Sequence, residues 1–176
     1  MRSLRWILHI IVLLVIVALV GICVMYSGMY NVAANYPDRA PVAWFFDTTL
    51  TMSVRNHSEA IKVSPLTDPK MIERGFRTYN EMCVGCHGAP GIEIPTVIKS
   101  MNPEPPELAE SAADWKPNEL FWLTKNGVRM TGMPAWDKTL KDDQIWDAVA
   151  FMNTLPKMSP AEYEKLIKSP VPQEKR

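Results

Sequence analysis

The 176-residue sequence has no surplus of charge of either sign: 19 Lys and Arg stand against 19 Asp and Glu. A nucleic-acid binder would show a basic excess, so no nucleic-acid partner is expected. Cysteine is scarce and odd in number, 3 in all, which excludes a framework built on disulfides alone. Histidine is equally scarce, with 3 residues and none after His87. Disorder is excluded by what is present: 47% hydrophobic residues, with 6 Trp, 5 Tyr and 5 Phe.

The sharpest local absence is of charge. From Trp6 to Tyr26 there is no Lys, Arg, Asp or Glu. At about 1.5 Å per residue such a helix would be about 31 Å long, against a hydrocarbon core of about 30 Å. Arg2 and Arg5 precede it, and no charge follows until Asp38 and Arg39. The positive-inside rule puts the N-terminus in the cytoplasm and the rest outside. A cleaved signal peptide has an apolar stretch of about 7 to 15 residues, shorter than this one. Val32-Ala33-Ala34 lies too far beyond the run to serve as its cleavage site, and Ile22 is too bulky for a lipoprotein signal before Cys23. The expectation is a retained anchor over residues 1–26, with His9 a neutral imidazole near the cytoplasmic interface.

Residues 27–67 read as a linker. Tyr36-Pro37-Asp38-Arg39-Ala40-Pro41 is turn-like. Trp44-Phe45-Phe46 is an aromatic cluster without a core of its own, suited to the bilayer surface, the underside of the following domain or a partner subunit. Asp47 can cap a helix running to about Lys62. His57 reads as a solvated polar residue.

Cys83-Val84-Gly85-Cys86-His87 decides the chemistry, because C-x-x-C-H is the attachment sequence of c-type haem. Two thiols add across the two haem vinyl groups, and the adjoining histidine meets the iron as an axial ligand. A zinc site would need a second Cys/His pair, and the one remaining cysteine, Cys23, lies in the apolar run. A thioredoxin-like C-x-x-C needs a strand–helix context that is missing here. One covalent haem c is therefore expected, held by Cys83 and Cys86, with His87 on the iron.

The second axial ligand has four downstream candidates: Met101, Met130, Met133 and Met152. Met133 stands first, because Gly132 permits close backbone approach and Pro134 holds Met133 extended, laying its thioether across the ring. Met130, three residues away, is the competitor; Met152 falls in a predicted helix, and Met101 is close behind His87 in a short loop. A bis-histidine site would have to recruit His57.

Helical spacing frames this motif. Asp68-Pro69 opens a helix bearing Ile72, Gly75, Phe76 and Tyr79, which delivers Cys83. Asn118 can cap a short helix through Lys125, closed by Gly127. Asp142 and Asp143 open another with Ile145, Trp146, Val149 and Met152 on its buried face. Ser159-Pro160-Ala161-Glu162 is a capping box for a tail helix, and residues 169–176 read as frayed.

Taken together, residues 68–156 resemble the class I cytochrome c family in its membrane-anchored, single-haem form. The resemblance rests on the Gly-Phe-x-x-Tyr helix before Cys83-x-x-Cys86-His87-Gly88, on Pro106-x-Leu108, on Gly132-Met133-Pro134-Ala135 and on the aromatic-bearing last helix. It implies an all-α domain whose first and last helices cross through Gly75, Phe76 and Trp146. It also implies that the Pro106 carbonyl accepts the His87 N–H, that Leu108 lines the haem and that Trp115 approaches the propionates. Lys141 departs from the usual Ser or Thr cap, which shifts capping to an aspartate. The expected organisation is an anchor (1–26), a linker (27–67), a haem domain (68–156) and a tail (157–176).

The function implied is one-electron transfer, without catalysis of its own, on the periplasmic face of a bacterial cytoplasmic membrane, between a quinol-oxidising complex and a terminal oxidase or reductase. The alternatives are a fixed haem subunit of a larger oxidoreductase and a haem peroxidase with an open distal site. Residues 68–156 carry 9 Lys/Arg against 13 Asp/Glu, a formal −4 that favours a basic partner surface.

Overall fold

The computed structural model describes residues 2–169; the frayed end expected beyond Ser169 lies outside them. Among the described residues the chain is helical with no strand: α1 (Arg2–Ser27), α2 (Ala40–Ser58), α3 (Pro69–Met82), α4 (Val84–His87), α5 (Thr96–Lys99), α6 (Leu108–Ser111), α7 (Pro117–Asn126), α8 (Asp142–Met152) and α9 (Pro160–Lys168). A lone bridge joins Ala89 and Ile92. The all-α expectation holds. The chain divides into two compact units, one ending at Tyr36 and one beginning at Pro37.

The first unit is α1. Its stretch Ser3–Ser27, 25 residues holding an 18-residue window of mean hydropathy 3.3, is the one helix among the described residues long and apolar enough to cross a membrane, a test that a signal sequence also passes. His9 Nδ1 bonds the Arg5 carbonyl one turn back, so this ring nitrogen finds its partner within its own helix.

The second unit is organised by the crossing of α3 and α8. Pro69 occupies the first turn of α3, where its missing N–H costs nothing, and the Asp68 carboxylate accepts from the Lys70 N–H at 2.9 Å. Gly75 makes the crossing tight: a Cβ there would lie 1.8 Å from the Asp147 carbonyl oxygen. The crossing aromatics differ from expectation. Phe76 packs edge-on against Phe151 and Tyr163, with ring centroids 5.5 and 5.6 Å apart. Trp146 stacks instead on Phe121 of α7 at 4.3 Å. It lies five residues before Phe151, about 140° further round the helix, and so faces a different neighbour. Arg74 donates twice to the Asp147 carboxylate, at 2.7 and 2.9 Å, and so pairs the most buried charge on α8 across the same crossing.

Two local expectations are corrected and a third is refined. The linker helix is α2, Ala40–Ser58, rather than a helix starting at Asp47 and reaching Lys62. Pro41 sits in its first turn, a position proline tolerates, so the stretch read as turn-like leads directly into the helix. Asn118 does not cap α7; Lys116 is the N-cap residue, and its N–H donates to Glu119 Oε2 at 2.7 Å. Asn118 reaches to α2 and donates to the Ser58 carbonyl at 2.9 Å. At α8, Lys141 stays the N-cap residue, its N–H held by Gln144 Oε1 at 3.0 Å, and the expected aspartate acts from inside the first turn, Asp143 Oδ1 accepting from the Gln144 N–H at 3.0 Å.

The tail helix α9 joins the core. Its capping box forms as expected, with Ser159 Oγ accepting from the Glu162 N–H and Glu162 accepting from the Ser159 N–H. Tyr163 is fully buried against Phe76 and Phe151, and its hydroxyl donates to Asn80 Oδ1 at 3.1 Å.

Candidate functional site

Helix α3 runs out at Cys83, whose N–H still bonds the Tyr79 carbonyl at 2.8 Å. The single turn α4 follows at once, with the His87 N–H on the Cys83 carbonyl at 2.9 Å. This places Cys83, Cys86 and His87 on one continuous tight turn. Gly88, at φ +62, ends it in a conformation that disfavours any side chain, and a Cβ there would meet the Ile92 carbonyl oxygen at 2.8 Å. The Tyr79 hydroxyl donates to the Gly88 carbonyl at 2.6 Å, tying the turn back to the core of α3.

Both thiols are free. Cys83 is buried, and burial pushes its thiol up to about 12, with the neighbouring Cys86 adding to the shift. A redox-active dithiol needs the opposite, a depressed thiol pKa. Burial also lowers His87 from its ordinary imidazole value, partly countered by its bond to Pro106. His87 Nδ1 lies 2.8 Å from the Pro106 carbonyl oxygen, which can only accept, so Nδ1 carries the proton and Nε2 is left as the ligating lone pair.

The Met133 loop is pinned at three points. The Val128 N–H donates to the Met133 carbonyl at 3.2 Å, and the Met133 N–H donates to Thr131 Oγ1 at 3.1 Å. Gly127, at φ +64, closes α7 where a Cβ would sit 2.5 Å from Pro134 C and 2.7 Å from the Met133 carbonyl oxygen. Met133 itself is half-buried. The other methionines are placed differently. Met130 is 83% exposed, with φ +62; Met152 is buried in α8; Met101 lays its Sδ against Gly132. His57 lies on α2, its Nδ1 bonded to the Ser53 carbonyl at 2.8 Å and its ring 5.6 Å from Trp122. Leu108 opens α6, and both it and Trp115 are half-buried against the core.

Thr131 and Gly127 were not singled out for the Met133 loop in the sequence. The signal for Thr131 is its spacing, a hydroxyl two residues before a backbone N–H in a loop, and for Gly127 a helix-closing glycine six residues before the methionine.

Residues 70–152 match the family model described as cytochrome c oxidase, cbb3-type, subunit III. No curated protein matches the chain. The matched segment spans the C-x-x-C-H turn, the Pro106 loop, the Met133 loop and α8. A cytochrome c domain implies electron transfer and a covalent haem c. The donor set fits such a group: two unpaired thiols on one turn, an imidazole with its outer nitrogen already committed, and a half-buried thioether on a pinned loop.

Proposed function

Starting from a cytochrome c domain of the cbb3 subunit III family at residues 70–152, we propose that this chain is a membrane-anchored, single-haem electron carrier. Bound haem c supplies one-electron chemistry by cycling its iron between the ferric and ferrous states. Cys83 and Cys86 hold it by thioether bonds. His87 Nε2 and the Met133 sulfur would hold its iron. The carrying observation is the hydrogen bond from His87 Nδ1 to the Pro106 carbonyl, because it fixes both the tautomer and the ring orientation an axial histidine needs. His/Met ligation in an apolar setting raises the potential above that of a bis-histidine haem. Leu108 would line the haem, and Trp115 would lie near its propionates.

The apolar helix α1 is read as a retained anchor that leaves the haem domain on the periplasmic side of a bacterial cytoplasmic membrane. Tethering raises the effective concentration of the domain near membrane complexes. A quinol-oxidising complex as donor and a terminal oxidase or reductase as acceptor fit this placement. The chain moves electrons and turns over no substrate of its own. The acidic balance of residues 68–156 favours a basic partner surface.

A second reading is supported by the family description itself, which names an oxidase subunit: the chain is a fixed haem subunit of a larger membrane oxidoreductase. Purification of the full chain under mild detergent separates the two. A free carrier migrates alone, and a subunit brings a stable assembly. Spectroscopy tests the site: the holoprotein shows a low-spin haem with a methionine-to-iron charge-transfer band, and Met133→Ala abolishes that band. A high-spin ferric haem that binds ligands readily would overturn the Met133 assignment.

A further inference from the structure

The first two turns of α2 carry Trp44, Phe45 and Phe46, which are 68%, 57% and 51% exposed. The structure thus leaves them uncovered by the domain. The same helix is held firmly at its other end, where Val54 and Ser58 are fully buried and Asn118 of α7 grips the Ser58 carbonyl. So α2 is a prong, anchored at its C-terminal half and projecting an aromatic tip.

Two features say what covers the tip. Three consecutive helical residues sweep about 200° of the helix circumference, wider than one stripe, and Val42 and Ala43 just before them are half-buried. A partner helix covers one narrow face; a fluid interface can cover the whole of so broad an arc. Between Arg39 and Arg55 the helix carries a single charge, Asp47, and its outer side is Pro41, Thr48, Thr49 and Met52. Position in the chain points the same way. The connector 28–39 reaches at most about 40 Å at about 3.3 Å per residue. It is shortened by turns in which the Tyr36 N–H meets the Ala33 carbonyl and Asn31 Oδ1 accepts from the Ala33 N–H. Exposed apolar patches of this kind mark contact surfaces, and aromatic side chains concentrate at membrane–water interfaces.

We infer that the Trp44-Phe45-Phe46 tip of α2 inserts into the headgroup region of the bilayer that α1 spans, giving the haem domain a second point of attachment. This rests on the reading of α1 as a retained anchor. With one attachment the domain would swing on its connector; with two, its height above the membrane is fixed.

The test uses the full-length holoprotein in nanodiscs of phosphatidylethanolamine and phosphatidylglycerol. On a Cys23→Ser background, a maleimide-linked benzophenone is placed at Phe45→Cys, at Ile16→Cys within α1 and at Glu164→Cys on the exposed side of α9. Photolysis should give lipid adducts at 16 and at 45, with the yield at 45 several-fold above that at 164. A lipid adduct at 16 with none above the level of 164 at 45 overturns the proposal and leaves the anchor intact. No lipid adduct at 16 removes the anchor and the proposal with it. A chain-to-chain adduct at 45 overturns the proposal in favour of a second copy. Unchanged haem absorption in each labelled variant shows that the domain is folded.

Discussion

Gly75 of α3 lies against the Asp147 carbonyl of α8 so closely that a Cβ would be 1.8 Å from the oxygen and 2.9 Å from Phe151 Cβ. The nearest obstacle is backbone on a buried helix, so it cannot rotate aside. Gly75→Ala must separate the two helices and is expected to cost about 3 kcal/mol or more, beyond the usual penalty for overpacking. Chemical denaturation of the holoprotein, read by far-ultraviolet circular dichroism, checks this. An unchanged midpoint would mean that the crossing is looser than the structure has it.

Across the same crossing, Asp147 is buried and takes both of its hydrogen bonds shown here from Arg74. Arg74→Met keeps the aliphatic stem and removes the fork, leaving a buried carboxylate without that partner. A loss of about 3 kcal/mol is expected, whereas Asp147→Asn, which lacks the charge, should cost less. Comparing the two variants by thermal melting separates loss of a charge pair from loss of shape.

Much of this organisation was legible in the sequence. Asp68-Pro69 and Ser159-Pro160-Ala161-Glu162 carry their helix starts in local side-chain chemistry, and both caps form. The His87–Pro106 contact was legible through the family resemblance, though 19 residues separate the partners. What escaped depended on tertiary choice. Asn118 is as good a cap as any asparagine, but Ser58 of α2 offers its side chain a buried carbonyl, and Lys116 takes the N-cap position instead. Trp146 and Phe151 are both aromatics on α8, and only the rotation of that helix against α3 determines which of them meets Phe76.

The Asn118 contact gives the third prediction. Asn118→Ala removes one of two donors to the Ser58 carbonyl, which keeps the Ile61 N–H at 2.9 Å, and should cost about 0.5 to 1.5 kcal/mol. The loss is local, so hydrogen exchange over residues 50–60 should speed up while exchange in α3 and α8 stays slow. Uniform acceleration throughout the domain would show that α2 is part of the same cooperative unit.

Tyr163 sets a limit at high pH. Burial, the larger cause, raises its hydroxyl from 10.0 to about 12, and Cys83 adds to this only while its thiol is free. A raised folded-state pKa means that the unfolded chain ionises first. The stability is fully present below pH 10 and is lost as the pH climbs toward 12. Tyr79, also raised by burial, acts in the same direction. Tyr163→Phe should flatten the loss between pH 10 and pH 12, at the neutral-pH cost of its bond to Asn80, about 1 kcal/mol. Denaturant midpoints of the two proteins across that range give the comparison.

The last prediction concerns the loop that carries Met133. Gly127 stands at φ +64, and a Cβ there would press on Pro134 C at 2.5 Å, Ala135 N at 2.6 Å and the Met133 carbonyl oxygen at 2.7 Å. All three atoms are backbone of one segment, so Gly127→Ala pushes the loop as a unit away from the end of α7. The Val128–Met133 bond, already 3.2 Å long, should break first. On the proposed ligation, the sulfur then withdraws from the iron. The expected signature is a weakened methionine-to-iron charge-transfer band and a lower reduction potential, with haem attachment through Cys83 and Cys86 unaffected. Thr131→Val, which removes only the hydroxyl that holds the Met133 N–H, should give a milder version of the same change. If Gly127→Ala lowers stability but leaves band and potential untouched, the loop is not what presents the sixth ligand, and Met101, whose sulfur rests against Gly132, becomes the residue to replace next.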